Sequence, residues 1–304
     1  MSLKTTQSAS ATSGACSQEP LVSVVIPTYN RALLLQRALK SVLQQTHRNL
    51  DVIVVDDASS DDTPEVVRAF DDPRVRYIRN EENRGGAATR NSGIQAAAGE
   101  IVAFLDDDDE WEPTKTAEQL RWMKQYAATL CGYHGEERGP ARYYQAQPTI
   151  SLRELQRGFL RGGGTSALMV RTGLLREILF DETLPRCQDW DLCIRLAKRC
   201  EIGYVRRPLV RYNDGDHARI SNKGRNMSLA RLEQELCMVQ KHRDFFGPRM
   251  YRFHMCRLLL RSIRHRRNKT QHVLYVCRRY GVVGVVSALT DRLYLKMIGK
   301  FALP

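Results

Sequence analysis

The sequence predicts an α/β fold: a mostly parallel sheet flanked by helices, followed by a basic helical C-terminal region. Three observations predict it. Short apolar runs at 21–26, 52–55, 75–78 and 101–105 alternate with stretches of helical character. Three of these runs end in distinctive polar groups, Tyr29-Asn30, Asp56-Asp57 and Asp106 to Asp109. Positive charge is concentrated after residue 230. A β-α-β-α-β-α-β order implies a parallel sheet with right-handed crossovers. Ligands bind such sheets at the carboxyl ends of the strands, so the three polar groups are expected to line one crevice.

Leu21 to Ile26 has the continuous apolar character of a strand buried on both faces. Pro27-Thr28-Tyr29-Asn30 follows as a loop, with Asn30 placed to cap a helix. In that helix Leu35, Ala38, Leu39, Val42 and Leu43 share one face. Val52 to Val55 is the second strand. Ser59 to Pro64 has helix-start chemistry, with Thr63 a possible cap and Pro64 tolerated in the first turn. Val75 to Ile78 is the third strand. Gly85 to Ala98 is a small-residue helix closed by Gly99. Ile101 to Leu105 is the fourth strand. After Pro113 the alternation fades. A strand is expected over Thr165 to Val170, a helix over Asp189 to Arg199 and a strand over Leu209 to Tyr212. From Met227 onwards the chain reads as helical and basic.

A chain of 304 residues is ample for a packed core. No apolar stretch approaches the roughly 18 to 20 residues that span a bilayer. Met1 to Pro20 is rich in Ser, Thr and Ala without an apolar segment, and reads as a disordered leader. The eight cysteines form no C-x-x-C pair, so a zinc ribbon is not indicated and free thiols are expected. Of the net charge of +13, residues 231–304 carry +12, from 16 Lys+Arg against 4 Asp+Glu. The remainder is nearly neutral, at 31 against 30. A polycationic tail implies an anionic partner.

The chemistry concentrates at Asp106 to Asp109. Adjacent carboxylates repel, which raises their pKa values unless a cation relieves them. On an extended segment Asp106 and Asp108 would face the same way. Hard oxygen ligands suit Mg2+ or Mn2+, which also bridge to phosphate oxygens. A solvated acidic turn is the competing reading. No G-x-G-x-x-G follows the first strand and no G-x-x-x-x-G-K-[ST] occurs, which argues against a standard dinucleotide fold and a P-loop.

Four motifs occur in order: Val-Ser-Val-Val-Ile-Pro-Thr-Tyr-Asn (22–30), Val-Val-Asp-Asp-Ala-Ser-Ser-Asp-Asp-Thr (54–63), Asn-Arg-Gly-Gly-Ala-Ala-Thr-Arg-Asn (83–91) and Ala-Phe-Leu-Asp-Asp-Asp-Asp (103–109). Together they closely resemble glycosyltransferase family 2, inverting enzymes of the GT-A fold, as in bacterial surface-glycan synthesis. The resemblance is strong over about 21–115 and looser to about 215. It implies a leader at 1–20, a nucleotide-sugar-binding half at 21–115 and an acceptor-binding half at 116–226. The basic helical region, 227–304, lies outside it.

The resemblance also implies a nucleotide-sugar donor, usually a UDP-sugar, and Mg2+ or Mn2+. By position, Pro27 and Tyr29 would flank the base and Asp57 would pair with the pyrimidine edge. Asp106 would meet ribose or a metal-bound water, and Asp108 would ligate the metal. Asp107 and Asp109 read as supporting acids. Arg90 and Asn91 are candidates for nucleotide contact, with helix packing and a surface ion pair as their competing roles. In Arg186-Cys187-Gln188-Asp189-Trp190-Asp191, Gln188 stands where family members often have Glu. Asp189 remains as the general base, with Asp191 the second choice and a helix cap the alternative role for Asp189. Trp190 is a sugar platform or core. His217 could complete the metal shell, and Arg219 could meet the diphosphate by paired hydrogen bonds. Gly162 to Ser166 could line the acceptor cleft.

In the tail, Arg249, Arg257, Arg261, Arg264 and Arg267 fall on one side of a helix, with Tyr251, Met255, Leu258 and Leu259 opposite. Such a helix suits an anionic membrane surface, or packing on the catalytic domain. No nucleic acid is expected, since no binding motif accompanies the charge. The resulting expectation is an inverting transferase acting on a glycan or lipid-linked acceptor, peripheral on the cytoplasmic face of the membrane. The alternatives are a sugar nucleotidyltransferase, a nucleic-acid-binding protein acting through the tail, and an inactive sugar-binding module.

Overall fold

The computed structural model describes residues 19–135, 148–158, 164–213, 227–261, 263 and 268–290. Strands β1 (Val22–Thr28), β2 (Leu50–Asp56), β3 (Val75–Arg79) and β4 (Ile101–Phe104) pair in parallel in the order β3-β2-β1-β4. Every residue of β1, β2 and β4 is buried, which is why each reads as an unbroken apolar run. Helix α1 (Ala32–Leu43) buries Leu35, Ala38, Leu39 and Val42. Helix α2 (Thr63–Arg68) follows β2, and α3 (Gly86–Ala96) follows β3. A Cβ on Gly93 would lie 2.3 Å from Val25 Cγ1, so α3 can approach β1 only because its contact face is nearly bare. The chain steps from β1 to β2 on one side and to β4 on the other. That switch opens a crevice at the carboxyl ends of β1 and β4.

The caps differ from expectation. Asn30 does not cap α1. It adopts a left-handed conformation (φ 52°), and its Oδ1 accepts the Ser60 N–H at 2.7 Å. Asp61 takes the capping role from the next loop, accepting the Ala32 N–H at 3.0 Å. Two loops at the crevice are thereby tied together. Thr63 lies inside α2 and hydrogen-bonds Asp61, and α3 is closed by Ala97, ahead of Gly99.

The same sheet continues into the second half. It adds β5 (Glu110–Trp111), β6 (Ala128–Gly135), β7 (Thr149–Ile150), β8 (Met169–Arg171) and β9 (Ile202–Tyr212). Strand β8 runs antiparallel to β4 and β6, β6 is parallel to β9, and β5 and β7 are antiparallel to β9. Helices α4 (Lys115–Met123), α5 (Leu152–Gln156), α6 (Thr172–Ile178) and α7 (Gln188–Ala197) complete this part. Thr165–Ala167 is a 3-10 turn, so the expected strand begins only at Met169.

The C-terminal region is helical: α8 (Leu229–Gln234), α9 (Cys237–Lys241), α10 (Arg243–Arg261), α11 (Lys269–Tyr280) and α12 (Val282–Thr290). Helix α10 breaks at Gly247 (φ 67°), immediately before Pro248. The expected amphipathic face packs inward: Met255, Cys256, Leu259 and Leu260 are buried. Arg257 is not a solvated cation, because its guanidinium lies 5.9 Å from the Trp190 ring and 5.7 Å from the Phe253 ring. One face of this helix therefore packs on the rest of the protein, while Arg249 stays exposed. Arg264 and Arg267 lie outside the described residues.

One buried charge stands out. Lys115 is fully buried, its Nζ lies 3.6 Å from the Trp111 ring centroid, and among the described residues it has no hydrogen-bond acceptor. Burial pushes its pKa down to about 7. An unfolded lysine titrates near 10.4. Between pH 7 and about 10 the unfolded chain binds more protons, so stability should rise with pH across that window. Lys115→Met should abolish this slope and stabilise the fold at pH 7 by about 1 to 3 kcal/mol, the cost of an unsatisfied buried polar group. Urea unfolding at several pH values measures both effects, and an unchanged slope would mean Lys115 is not its source.

Candidate active site

Strand β4 stops at Phe104, and the Asp109 N–H donates to the Asp106 carbonyl at 3.0 Å. Asp106 to Asp109 thus form a turn, not an extended segment. The turn, and not strand alternation, brings the carboxylates together. Oxygens of Asp106, Asp108 and Asp109 lie within 4.8 Å of one another. Asp109, expected as a supporting acid, is a full member of this trio. Asp107 departs from it, accepting from Thr28 Oγ1 at 2.9 Å and from Arg31 Nη1 at 2.7 Å.

Each acid is held by a different element. Asp106 receives Arg90 Nη2 at 2.6 Å from α3 and Thr165 Oγ1 at 2.9 Å from the 3-10 turn. Asp109 receives Ser166 Oγ at 2.6 Å and the Asn213 N–H at 3.3 Å, beyond the end of β9. Ser166 also accepts the Asp106 N–H at 3.1 Å, and its carbonyl accepts Trp111 Nε1 at 2.9 Å. Arg31 reaches Asp108 at 3.4 Å.

The electrostatics follow from this unequal support. Burial favours the neutral form of Asp106, but Arg90 and Thr165 outweigh it and hold its pKa below the usual range. Burial pushes Asp107 up to about 6, with Arg31 opposing and Asp108 adding to the rise. Asp109 is pushed well above the ordinary carboxylate range by burial and then by the charges of Asp108 and Asp106. Three hard oxygen donors this close together fit a divalent cation.

The expected nucleotide residues divide into two groups. Pro27 is buried at the end of β1, and Tyr29 projects from it, 46% exposed. Asp57 is buried, accepting Asn80 Nδ2 at 2.8 Å and the Arg84 and Gly85 N–H groups at 2.9 and 2.8 Å. A carboxylate accepts about four hydrogen bonds, so one position remains beyond these three. Its visible role is to fix the loop before α3. Asn91, a candidate for nucleotide contact or for helix packing, forms a clamp. Its Nδ2 donates to the Phe180 carbonyl and to Glu182, both at 2.9 Å, and its Oδ1 accepts the Phe180 N–H at 2.8 Å. His217 and Arg219 lie outside the described residues.

Arg90 connects the acidic turn to the second motif, since its Nη1 also lies 3.5 Å from Gln188 Oε1. Gln188 donates to the Leu184 carbonyl at 2.7 Å. Cys187, at φ 59°, is the N-cap, and Gln188 and Asp189 open α7. Asp189 therefore sits in the first turn without being the cap. Burial raises its pKa and the Trp190 N–H at 2.8 Å opposes, while Asp106 adds to the rise. Asp191 is committed to ion pairs. It is fully buried and paired with Arg195 (2.7 Å), Lys241 (2.7 Å) and His242 (2.8 Å). Trp190 is core: its indole N–H donates to the Leu155 carbonyl at 2.9 Å and its ring meets Phe246 and His254 edge-on.

Arg31 and Thr165 were not singled out by the sequence. Arg31 had a signal, a cation directly after the Tyr29-Asn30 strand end. Thr165 had only its neighbourhood, the Gly162 to Ser166 segment, and of that segment the described residues support the carboxylates.

A family model described as glycosyl transferase family 2 matches residues 23–182. The chain belongs to this family. An Escherichia coli K12 protein provisionally described as the colanic acid biosynthesis glycosyl transferase WcaA is 33% identical over 191 residues, 59% of this chain and 66% of that protein. A Campylobacter jejuni GalNAc(5)-diNAcBac-PP-undecaprenol beta-1,3-glucosyltransferase is 47% identical over 94 residues, 30% of each chain. The chain thus spans two thirds or less of the length of these curated relatives. Among solved structures, Staphylococcus aureus TarS 1–349 in complex with UDP-GlcNAc aligns at a TM-score of 0.64 with 18% identity, covering 90% of this chain and 92% of that one. The mannosyltransferase PcManGT of Pyrobaculum calidifontis, in complex with GDP-Man and Mn2+, aligns at 0.58 with 20% identity, covering 92% and 81%. The fold is the GT-A arrangement these structures share.

Asp191 yields an acid-stability prediction. Burial disfavours its charge, yet His242, Lys241 and Arg195 bring its pKa down to about 2. An unfolded aspartate titrates near 3.9. Its contribution is therefore complete above about pH 4 and is lost as pH falls towards 2. Asp191→Ala should cost about 3 kcal/mol at neutral pH and flatten the acid limb of a stability-against-pH curve. An acid limb as steep as that of the wild type would show that other groups control it.

Proposed function

We propose that this protein is an inverting glycosyltransferase that moves a sugar from a nucleotide-sugar, specifically a UDP-sugar, to a glycan or lipid-linked acceptor with the help of a divalent cation. The observation that carries this reading is one connected site. An acidic turn at the sheet switch point follows β4 close to the β1 end that carries an exposed Tyr29, and Arg90 links that turn to Gln188, the neighbour of Asp189 on α7. Family membership supports the reaction class. Two comparisons support the finer assignment: TarS was solved with UDP-GlcNAc, and an Escherichia coli relative, WfaP, is named a UDP-Glc:alpha-D-GlcNAc-diphosphoundecaprenol glucosyltransferase.

Each residue then has a physical task. Tyr29 offers a ring face to the base, above the turn that Pro27 fixes. Asp57 acts on the nucleotide site through the Arg84–Gly85 loop it holds. Asp106, Asp108 and Asp109 would hold Mg2+ or Mn2+, which neutralises charge on the departing diphosphate. Arg31 and Arg90 keep the acids apart and oriented. Asp189 takes the proton from the acceptor hydroxyl. The hydroxyl oxygen forms a bond to the anomeric carbon, the bond from that carbon to the diphosphate oxygen breaks, and its electron pair leaves with UDP. Attack opposite the leaving group inverts the centre. A raised Asp189 pKa suits a general base, because it brings basicity closer to working pH.

Turnover assays over UDP- and GDP-sugars test the class, and chelation tests the cation. Asp108→Ala and EDTA should each suppress transfer, whereas full activity in saturating EDTA would remove the metal from this account. Asp189→Asn keeps the shape but cannot accept a proton. Its kcat should fall about 100- to 10,000-fold while UDP affinity measured by calorimetry stays near wild type. In the wild type, the acid limb of kcat should lie above the ordinary carboxylate range. Normal turnover by Asp189→Asn would assign the proton transfer elsewhere.

A further inference from the structure

The C-terminal helices carry a surface that the transfer site does not use. On α12, Val282, Val283, Val286 and Leu289 are 63, 81, 52 and 37% exposed. At 3.6 residues per turn, Val282, Val286 and Leu289 fall within about 60° of one another, with Val283 at their edge. Gly284, Val285 and Ala288 form the opposite, buried face. The helix is thus amphipathic with its second apolar face turned outward, an arrangement that water alone does not favour.

The buried face of α12 adjoins a cluster of arginines. A Cβ on Gly284 would lie 3.0 Å from Cys256 Sγ and 3.6 Å from Arg252 Cβ, so α12 rests directly against α10 at Arg252. Arg252 lines a pocket of about 300 Å³ together with Arg243, Pro248, Tyr251, Arg279 and Tyr280. The Arg243 guanidinium lies 5.2 Å from the Tyr251 ring. Arg279 is offset by Glu233 at 3.1 Å, but among the described residues neither Arg243 nor Arg252 has a carboxylate partner. Guanidinium charge without a carboxylate partner is thus presented on the α10 side of α12, and Tyr280 in the pocket wall lies two residues before Val282, where the exposed aliphatic row begins. Guanidinium groups match phosphate oxygens, and an aliphatic row matches acyl chains.

We propose that α12 and the adjoining arginine pocket form a membrane-docking surface, with the valine face entering an anionic bilayer and the pocket receiving a lipid phosphate. The charge complementarity fixes the occupant: a neutral apolar partner would satisfy the valines but leave Arg243 and Arg252 unmatched. The helix that enters the bilayer is thus α12, which bears no charge between Val282 and Thr290, while α10 supplies Arg243 and Arg252 to the pocket. A lipid-linked acceptor would give this docking a purpose, but the surface can be tested without any turnover, so the two readings fail separately.

The test is cosedimentation of the full chain with phosphatidylcholine vesicles, with and without phosphatidylglycerol. Wild type should bind the anionic vesicles, with affinity falling as salt rises. Arg243→Gln/Arg252→Gln should weaken binding roughly fivefold per arginine removed. Val283→Asp/Val286→Asp should lose most binding while circular dichroism and Tm remain those of the wild type, because both side chains are already exposed. Leu33→Asp, at an 80% exposed leucine on α1, should bind as the wild type does. Undiminished binding by the valine variant overturns the proposal. Inorganic phosphate that binds the pocket and leaves vesicle binding intact would make it a soluble-anion site and overturn it too. Light scattering that shows a wild-type dimer and a monomeric valine variant, with vesicle binding unchanged, would assign the face to a second copy.

Discussion

Four successive carboxylates at the end of a buried strand set the terms for everything around them. Like charges at such spacing destabilise one another, and burial adds a further penalty. The chain resolves the conflict by unequal treatment. Asp106 is given Arg90 and Thr165 and keeps its charge. Asp107 is turned away to Thr28 and Arg31. Asp108 and Asp109 are left close to Asp106 with less compensation, and Asp109 is driven towards the neutral form. A cation bound at the turn would offset the negative charge that remains. In the proposed reading that cation is the donor's metal.

The topology exists to deliver these supports to one place. Thr28 and Arg31 come from the β1 end, Arg90 from α3, Thr165 and Ser166 from the 3-10 turn before β8, and Asn213 from beyond β9. The antiparallel insertion of β8 beside β4 matters most. It is what carries Thr165 and Ser166 under the acidic turn, so the second half of the sheet is needed to stabilise chemistry that belongs to the first. Arg90 extends the coupling to Gln188. A glutamate at 188 would compete with Asp106 for the same guanidinium, whereas the glutamine makes only a long neutral contact. The departure from family pattern thus leaves Arg90 committed to the acidic turn.

Legibility in the sequence followed burial. Strands β1, β2 and β4 were readable because both faces are covered, which makes most of their positions apolar, whereas the partly exposed β3 was readable only from Val75, Tyr77 and Ile78. Strands β5, β6 and β7 were not, because short or mixed strands such as Ala-Thr-Leu-Cys-Gly-Tyr-His-Gly lack both a continuous run and a clean alternation. The acidic turn was found, but its geometry was mistaken for extended chain, which misjudged Asp109. Asn91 and Asp57 show the same limit from another side. A polar residue in a motif can bind a ligand or bind the loop that binds the ligand, and only its hydrogen-bond partners tell which.

The tail shows why charge alone misplaces a surface. The arginine-rich stretch of α10 looked like an exposed element, yet its apolar face packs inward at Met255, Leu259 and Leu260, and Arg257 lies 5.9 Å from the Trp190 ring. Long basic side chains are suited to that role, since their stems pack while their heads reach outward. The segment that ends up outermost, α12, was unremarkable by charge because it has none. Its position follows from Gly284, which lets it settle against Arg252, and from the turn at Gly281 (φ 86°) that separates it from α11. An uncharged helix rimmed by arginines of its neighbours can only be recognised once packing has decided which of them face solvent. That is a tertiary property, and no window of sequence holds it.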